Sequence, residues 1–145
     1  MILLLRCGLG LLFVFSGFQK LVEPYQNFLY VIESYEIFPY EAARLAARAV
    51  PWFELLSGSF LILGIHIKTA LIALWIFDSA LILTVLQALG RGLEIRECGC
   101  FGSILPLTLG QVVVLDIVLW LLFFIVWRSS LKAYALSLDQ FLRGR

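Results

Sequence analysis

Charge is what this chain has least of. Only 14% of its 145 residues are Asp, Glu, Lys or Arg, 62% are hydrophobic, and the mean hydropathy is +0.99. Soluble domains carry about 25% charged and about 45–50% apolar residues, so a water-soluble globule is excluded and the bilayer is the expected solvent. Neither sign of charge predominates: 11 basic residues face 10 acidic ones, for a net charge of +1, and no basic cluster breaks the balance. That excludes nucleic acid as a partner. Histidine occurs once, as His66, and cysteine three times. A cleavable leader is missing too. "MILLLRCGLGLLFVFSGF" has no charged stretch ahead of its apolar run and no small-residue cleavage site behind it. It reads as a retained first membrane helix.

What the chain has instead is long apolar runs, over residues 2–21, 46–65, 69–89 and 107–127. Each can cross a hydrocarbon core of about 30 Å at a helical rise of about 1.5 Å per residue. Four spans are close to the most that 145 residues can hold, which predicts one all-α membrane domain over 1–145. A loop over 90–106 then joins the last two spans, and a tail over 128–145 follows them. In the first run Gly8, Gly10, Ser16 and Gly17 are small residues that let another helix approach closely.

The stretch "EPYQNFLYVIESYEIFPYEAARLAAR" is different in kind. Phe28, Val31, Ile32 and Tyr35 recur at helical spacing, with Gln26, Asn27, Glu33 and Ser34 on other faces. It also holds six aromatics: Tyr25, Phe28, Tyr30, Tyr35, Phe38 and Tyr40. Such a pattern suits a helix lying at the membrane–water boundary, over about 24–37. Pro24 fits its start and Pro39 the turn into the second span.

Four spans put both termini on one side. Arg6, Lys68, Arg128, Lys132, Arg143 and Arg145 make six basic residues there, against five on the other side: Lys20, Arg44, Arg48, Arg91 and Arg96. The positive-inside rule counts Lys and Arg alone, so the termini and the basic tail are expected in the cytoplasm and the 90–106 loop outside.

That loop contains "RECGCFGS". An extracytoplasmic cysteine pair sits where disulfides form and persist. Favoured disulfide geometry needs Cα atoms about 5.5–6 Å apart, which Cys98 and Cys100 can reach only if the backbone between them bends. Gly99, without a Cβ, tolerates the bend. So small a ring is a poor staple, because it constrains the unfolded chain little, and a strained bridge is more easily reduced. Lys20, at the outer end of the first span, and Arg96 are cations able to favour a thiolate, while Glu97 opposes it. A redox pair is the leading reading, with a structural bridge and inert thiols as alternatives. A zinc site is disfavoured, since four N/S ligands are normal and His66 falls on the opposite side. Cys7, near the inner end of the first span, reads as a small packing residue.

Three acids lie inside the spans. Glu54 shares a small, polar helix face with Ser57 and Gly58, and Lys20 is placed to reach toward it. Asp78 and Asp116 fall nearer the midplane without an obvious cation beside them. A charge there costs about 2.5–3.5 kcal/mol on insertion scales, so such groups face the bundle interior. Glu54 is equally readable as a pocket-lining group or as one end of an interhelical hydrogen bond. For Asp78 and Asp116 the interhelical hydrogen bond is the leading reading.

The pieces "RCGLGLLFVFSGFQKL", "YEIFP", "PWFELLSG" and "GRGLEIRECGCFGS" occur in this order along nearly the whole chain. Together they resemble the DoxX-like membrane proteins, most closely their methylamine-utilisation branch, the MauE proteins. The motif falls on Cys98, Gly99, Cys100, Phe101 and Gly102, and Lys20 and Glu54 match its other polar positions. Leu115 stands where the family often has an arginine before the last-span acid, Asp116. The resemblance implies a compact four-helix bundle and a role beside thioredoxin-like or disulfide-rich extracytoplasmic proteins. The leading expectation is therefore a membrane thiol–disulfide redox protein in a bacterial or archaeal plasma membrane. By analogy with other small redox bundles, its electrons continue to a lipid quinone near Lys20 and Glu54. A non-catalytic maturation factor is the second expectation and a small-solute transporter the third; a homo-oligomer stays among the expected assemblies.

Overall fold

A computed structural model describes residues 2–93 and 108–129. Cys98, Gly99, Cys100, Phe101 and Gly102, and nearly all of the tail, lie outside the described residues. Five helices follow in order: α1 (Ile2–Val22), α2 (Tyr25–Ser34), α3 (Tyr40–Leu63), α4 (Ile67–Gly90) and α5 (Leu109–Arg128). All but α2 are long and apolar enough to cross a membrane. Among the described residues the architecture is all-α, as the four apolar runs require.

The boundaries follow local chemistry. Pro24 and Pro39 occupy the N-cap positions of α2 and α3, where a missing N–H is harmless. α3 starts six residues ahead of the apolar run read from the sequence, at Tyr40. In that extra stretch Ala43 is buried, while Arg44 faces outward with Glu41 at 3.4 Å. α3 ends at Gly64, whose φ of 71° closes the helix in the left-handed region. His66 repeats that conformation at φ 46°, so α4 begins only three residues after α3 ends.

In a bilayer, apolar side chains gain nothing from water exclusion between helices, so close backbone contact decides which helices pair. α1 and α3 pair most intimately, through glycine. A Cβ on Gly10 would lie 2.8 Å from the Gly58 carbonyl oxygen, and one on Gly58 would lie 2.7 Å from that of Gly10. Gly17 meets Pro51 and Leu55 in the same way. Gly8, expected to share this role, faces open space. Two residues along a helix is about 200° around it, so Gly8 points away from the seam that Gly10 occupies.

α4 packs on α5 through aromatic rings: Trp75 lies 5.2 Å from Trp120 and 5.4 Å from Trp127, centroid to centroid. The Trp120 indole donates to Ser79 Oγ at 3.1 Å. Toward the termini, Leu9, Phe13, Leu61, Ile67, Leu71, Leu74, Phe123 and Val126 fill the space between the two pairs. Arg6, counted above as a terminal-side charge, is buried there at 1% exposure. Outward-facing Leu4, Leu11, Phe18, Leu45, Leu83 and Val114 are exposed, as lipid-facing side chains should be.

α2 lies across the other end. The Arg48 guanidinium sits 4.9 Å from the Tyr25 ring centroid, and Arg91, just past α4, pairs with Glu36 at 2.9 Å. Both partners of the Arg91–Glu36 pair are substantially solvent-exposed. Arg91→Ala should therefore lower stability by no more than about 1 kcal/mol, measured by unfolding in mild detergent.

Candidate functional site

Between the two helix pairs, under α2, the packing opens into a cavity of about 230 Å³. Its walls are almost wholly apolar, with Leu12, Phe13, Val31, Phe77, Leu81 and Leu119 among them. One basic and three acidic side chains reach it, Lys20, Glu54, Asp78 and Asp116, together with the Tyr35 phenol.

On the α1–α3 side, the polar residues form one closed cluster. Lys20 Nζ donates to both Glu54 oxygens, at 2.7 and 3.0 Å, and to Ser16 Oγ at 2.7 Å. Ser16 Oγ in turn donates to Glu54 Oε2 at 3.0 Å. The lysine and glutamate side chains are each 3% exposed. Ser16 and Lys20 are one helical turn apart, so they present to α3 together. Gly17 lets them do so: its absent side chain would sit 3.1 Å from Glu54 Cβ. The Phe28 ring of α2 covers the ammonium at 5.3 Å, adding a cation–π contact from above. A salt bridge this buried is sustained only by such complete hydrogen bonding, since desolvating each ion costs several kcal/mol.

The α4–α5 side is built differently. Asp78 is 1% exposed and Asp116 4%, and the two lie within electrostatic range of one another. Neither Asp78 oxygen, nor Asp116 Oδ2, has a hydrogen-bond partner among the described residues. Buried acceptors normally have partners, so these oxygens are an anomaly that points into the cavity.

The residues singled out from sequence thus separate into groups. Lys20 and Glu54 meet directly, and Asp78 and Asp116 share their cavity without touching them through any hydrogen bond described here. Glu54 is both the pocket wall and the interhelical hydrogen bond, two roles that the sequence left as alternatives. Cys7 is a free, half-buried thiol away from the cavity lining. From sequence Ser16 reads as a small packing residue; its spacing of four from Lys20 is the signal for its place in the cluster. No group of three or more His, Cys, Asp or Glu able to hold a metal occurs among the described residues.

The chemistry available is that of an apolar, ring-lined chamber with one neutralised ion pair and three carboxylate oxygens open to a donor. No curated protein and no solved structure matches the chain. The family model described as methylamine utilisation protein MauE matches residues 1–129, which include all five helices and every residue of the cavity wall. By that match over nearly its whole length, the chain belongs to the MauE family.

Proposed function

We propose that this membrane protein exchanges disulfides with a partner protein through Cys98 and Cys100. The observation that supports it best is where the segment carrying them is anchored. Leu93 and Leu109, on either side of that segment, belong to one apolar cluster with Tyr35 and Val85, both of which also line the cavity. The wider kinship with DoxX-like proteins rests on the Cys-Gly-Cys-Phe-Gly run and on Lys20 and Glu54. The family description directs the search for a partner to methylamine utilisation, and the chemistry selects a disulfide-rich or thioredoxin-like protein outside the membrane.

In the exchange, a partner thiolate attacks one sulfur of the Cys98–Cys100 disulfide and a mixed disulfide forms. The partner's second thiolate then resolves it. The partner gains its disulfide, and Cys98 and Cys100 take up the two electrons and two protons as thiols. Gly99 makes the small ring possible, and its strain favours release to the partner.

The test is thiol trapping in native membranes with a mass-tagged alkylator. Cys98 and Cys100 are expected to gain two tags on reduction, and one of the single serine variants to accumulate a mixed disulfide with the partner. Full partner maturation in the Cys98→Ser/Cys100→Ser protein would overturn the exchange and leave the role of a non-catalytic maturation factor.

A further inference from the structure

We propose that the cavity under α2 binds a lipid-soluble para-quinone and its hydroquinone, with Asp78 as the acceptor for a hydroquinone hydroxyl. For the direction of electron flow this rests on the disulfide-exchange reading; for binding it does not.

Size comes first. A cavity of about 150 Å³ lined by Leu, Ile and Phe stays dry and admits benzene, so the larger chamber here has room for a substituted ring. Shape and polarity agree: Phe13, Phe28 and Phe77 line it, and its polar groups lie on two facing walls rather than throughout. A quinone ring has that distribution, an apolar body with one oxygen at each end. The orphaned oxygens of Asp78 need a donor, which a hydroquinone hydroxyl supplies and an acyl chain does not. Access fits as well. Phe38 and Ala80 line the cavity and are themselves exposed, so the chamber is not sealed and a ligand can enter it.

The redox balance closes with this acceptor. Two S–H bonds of Cys98 and Cys100 break and one S–S bond forms. Two electrons and two protons pass to the quinone, whose two carbonyl oxygens become the two hydroxyls of the hydroquinone. The regenerated disulfide is then ready for the next partner dithiol.

The test uses the full chain in lipid nanodiscs and a para-benzoquinone bearing a ten-carbon tail, in both redox forms. Binding is measured by calorimetry in the Cys98→Ser/Cys100→Ser protein, which cannot exchange disulfides. Saturable binding of both forms is expected there. Thr84→Phe, which fills the cavity, should abolish it. Asp78→Leu should weaken the hydroquinone about fivefold, the worth of one ordinary hydrogen bond, and the quinone less. Uptake that never saturates, or that survives Thr84→Phe in a folded protein, overturns the site. So does tight binding of propylammonium in place of the hydroquinone, which would make this an amine site. Saturable binding to a protein that never cycles its cysteines in membranes would leave the site standing and remove the exchange. Cycling cysteines without quinone binding would do the reverse.

Discussion

Lys20→Met alone should destabilise the bundle by about 3–5 kcal/mol, the usual cost of breaking a buried ion pair from one side. The reason is the charge left behind. Glu54 would keep its burial and lose the ammonium that donates to both of its oxygens, with only Ser16 Oγ still donating to it. Glu54→Leu should be comparably harmful, because it strands the ammonium next to Ser16 and the Phe28 ring. The double variant Lys20→Met/Glu54→Leu should recover most of the loss, since an apolar pair in a dry wall asks for no compensation. Ser16→Ala should cost about 1 kcal/mol, the net worth of an ordinary hydrogen bond. Reversible unfolding of the parent, the Lys20 and Glu54 single variants and the double variant in mixed micelles completes the cycle. Additive losses in the double variant would show that Lys20 and Glu54 stabilise the bundle independently, contrary to their 2.7 Å contact.

Gly17→Val carries the second large effect. The new Cβ would lie 2.6 Å from the Pro51 carbonyl oxygen and 2.8 Å from Leu55 N, both backbone atoms that cannot swing aside. Relief requires α1 and α3 to separate, at about 3 kcal/mol, the upper end for an overpacked core. The damage should not stop at stability. Ser16 and Lys20 flank Gly17, so a wider seam draws them from Glu54, and the cavity wall is rebuilt with weaker hydroquinone binding. Gly8→Val, two residues from Gly10 and facing open space, should stay within about 0.5 kcal/mol of the parent. Equal losses at Gly8 and Gly17 would refute the glycine seam.

The glycine contrast also marks how far the sequence could be read. Apolar runs and their lengths announced the four spans, because a bilayer asks little more of a helix than about 20 apolar residues. The face of Phe28, Val31, Ile32 and Tyr35 announced α2, and all four now line the cavity. Composition says that a residue is small but not which way it points, so Gly8 and Gly10 looked equivalent. The first turns of α3 were missed for a related reason. Ala43 is buried by neighbours from α2, whereas Glu41 and Arg44 lower the hydropathy of the same stretch. Lys20 and Glu54 were legible as a pair because opposite charges inside a membrane must find each other. The cavity was not legible at all. It exists where two helix pairs fail to close on one another, and that depends on distances between segments far apart in the chain.

The Lys20–Glu54 pair has an electrical consequence. A membrane potential does work of about 2.3 kcal/mol per 100 mV on each elementary charge carried across it. An ammonium and a carboxylate held 2.7 Å apart travel as a dipole of zero net charge, so the field gains almost nothing by moving them. α1 and α3, fastened by their glycines, can shift together while this cluster transports no charge. Voltage therefore has no handle on this cluster, whose displacement would cost the same in an energised membrane and in a discharged one.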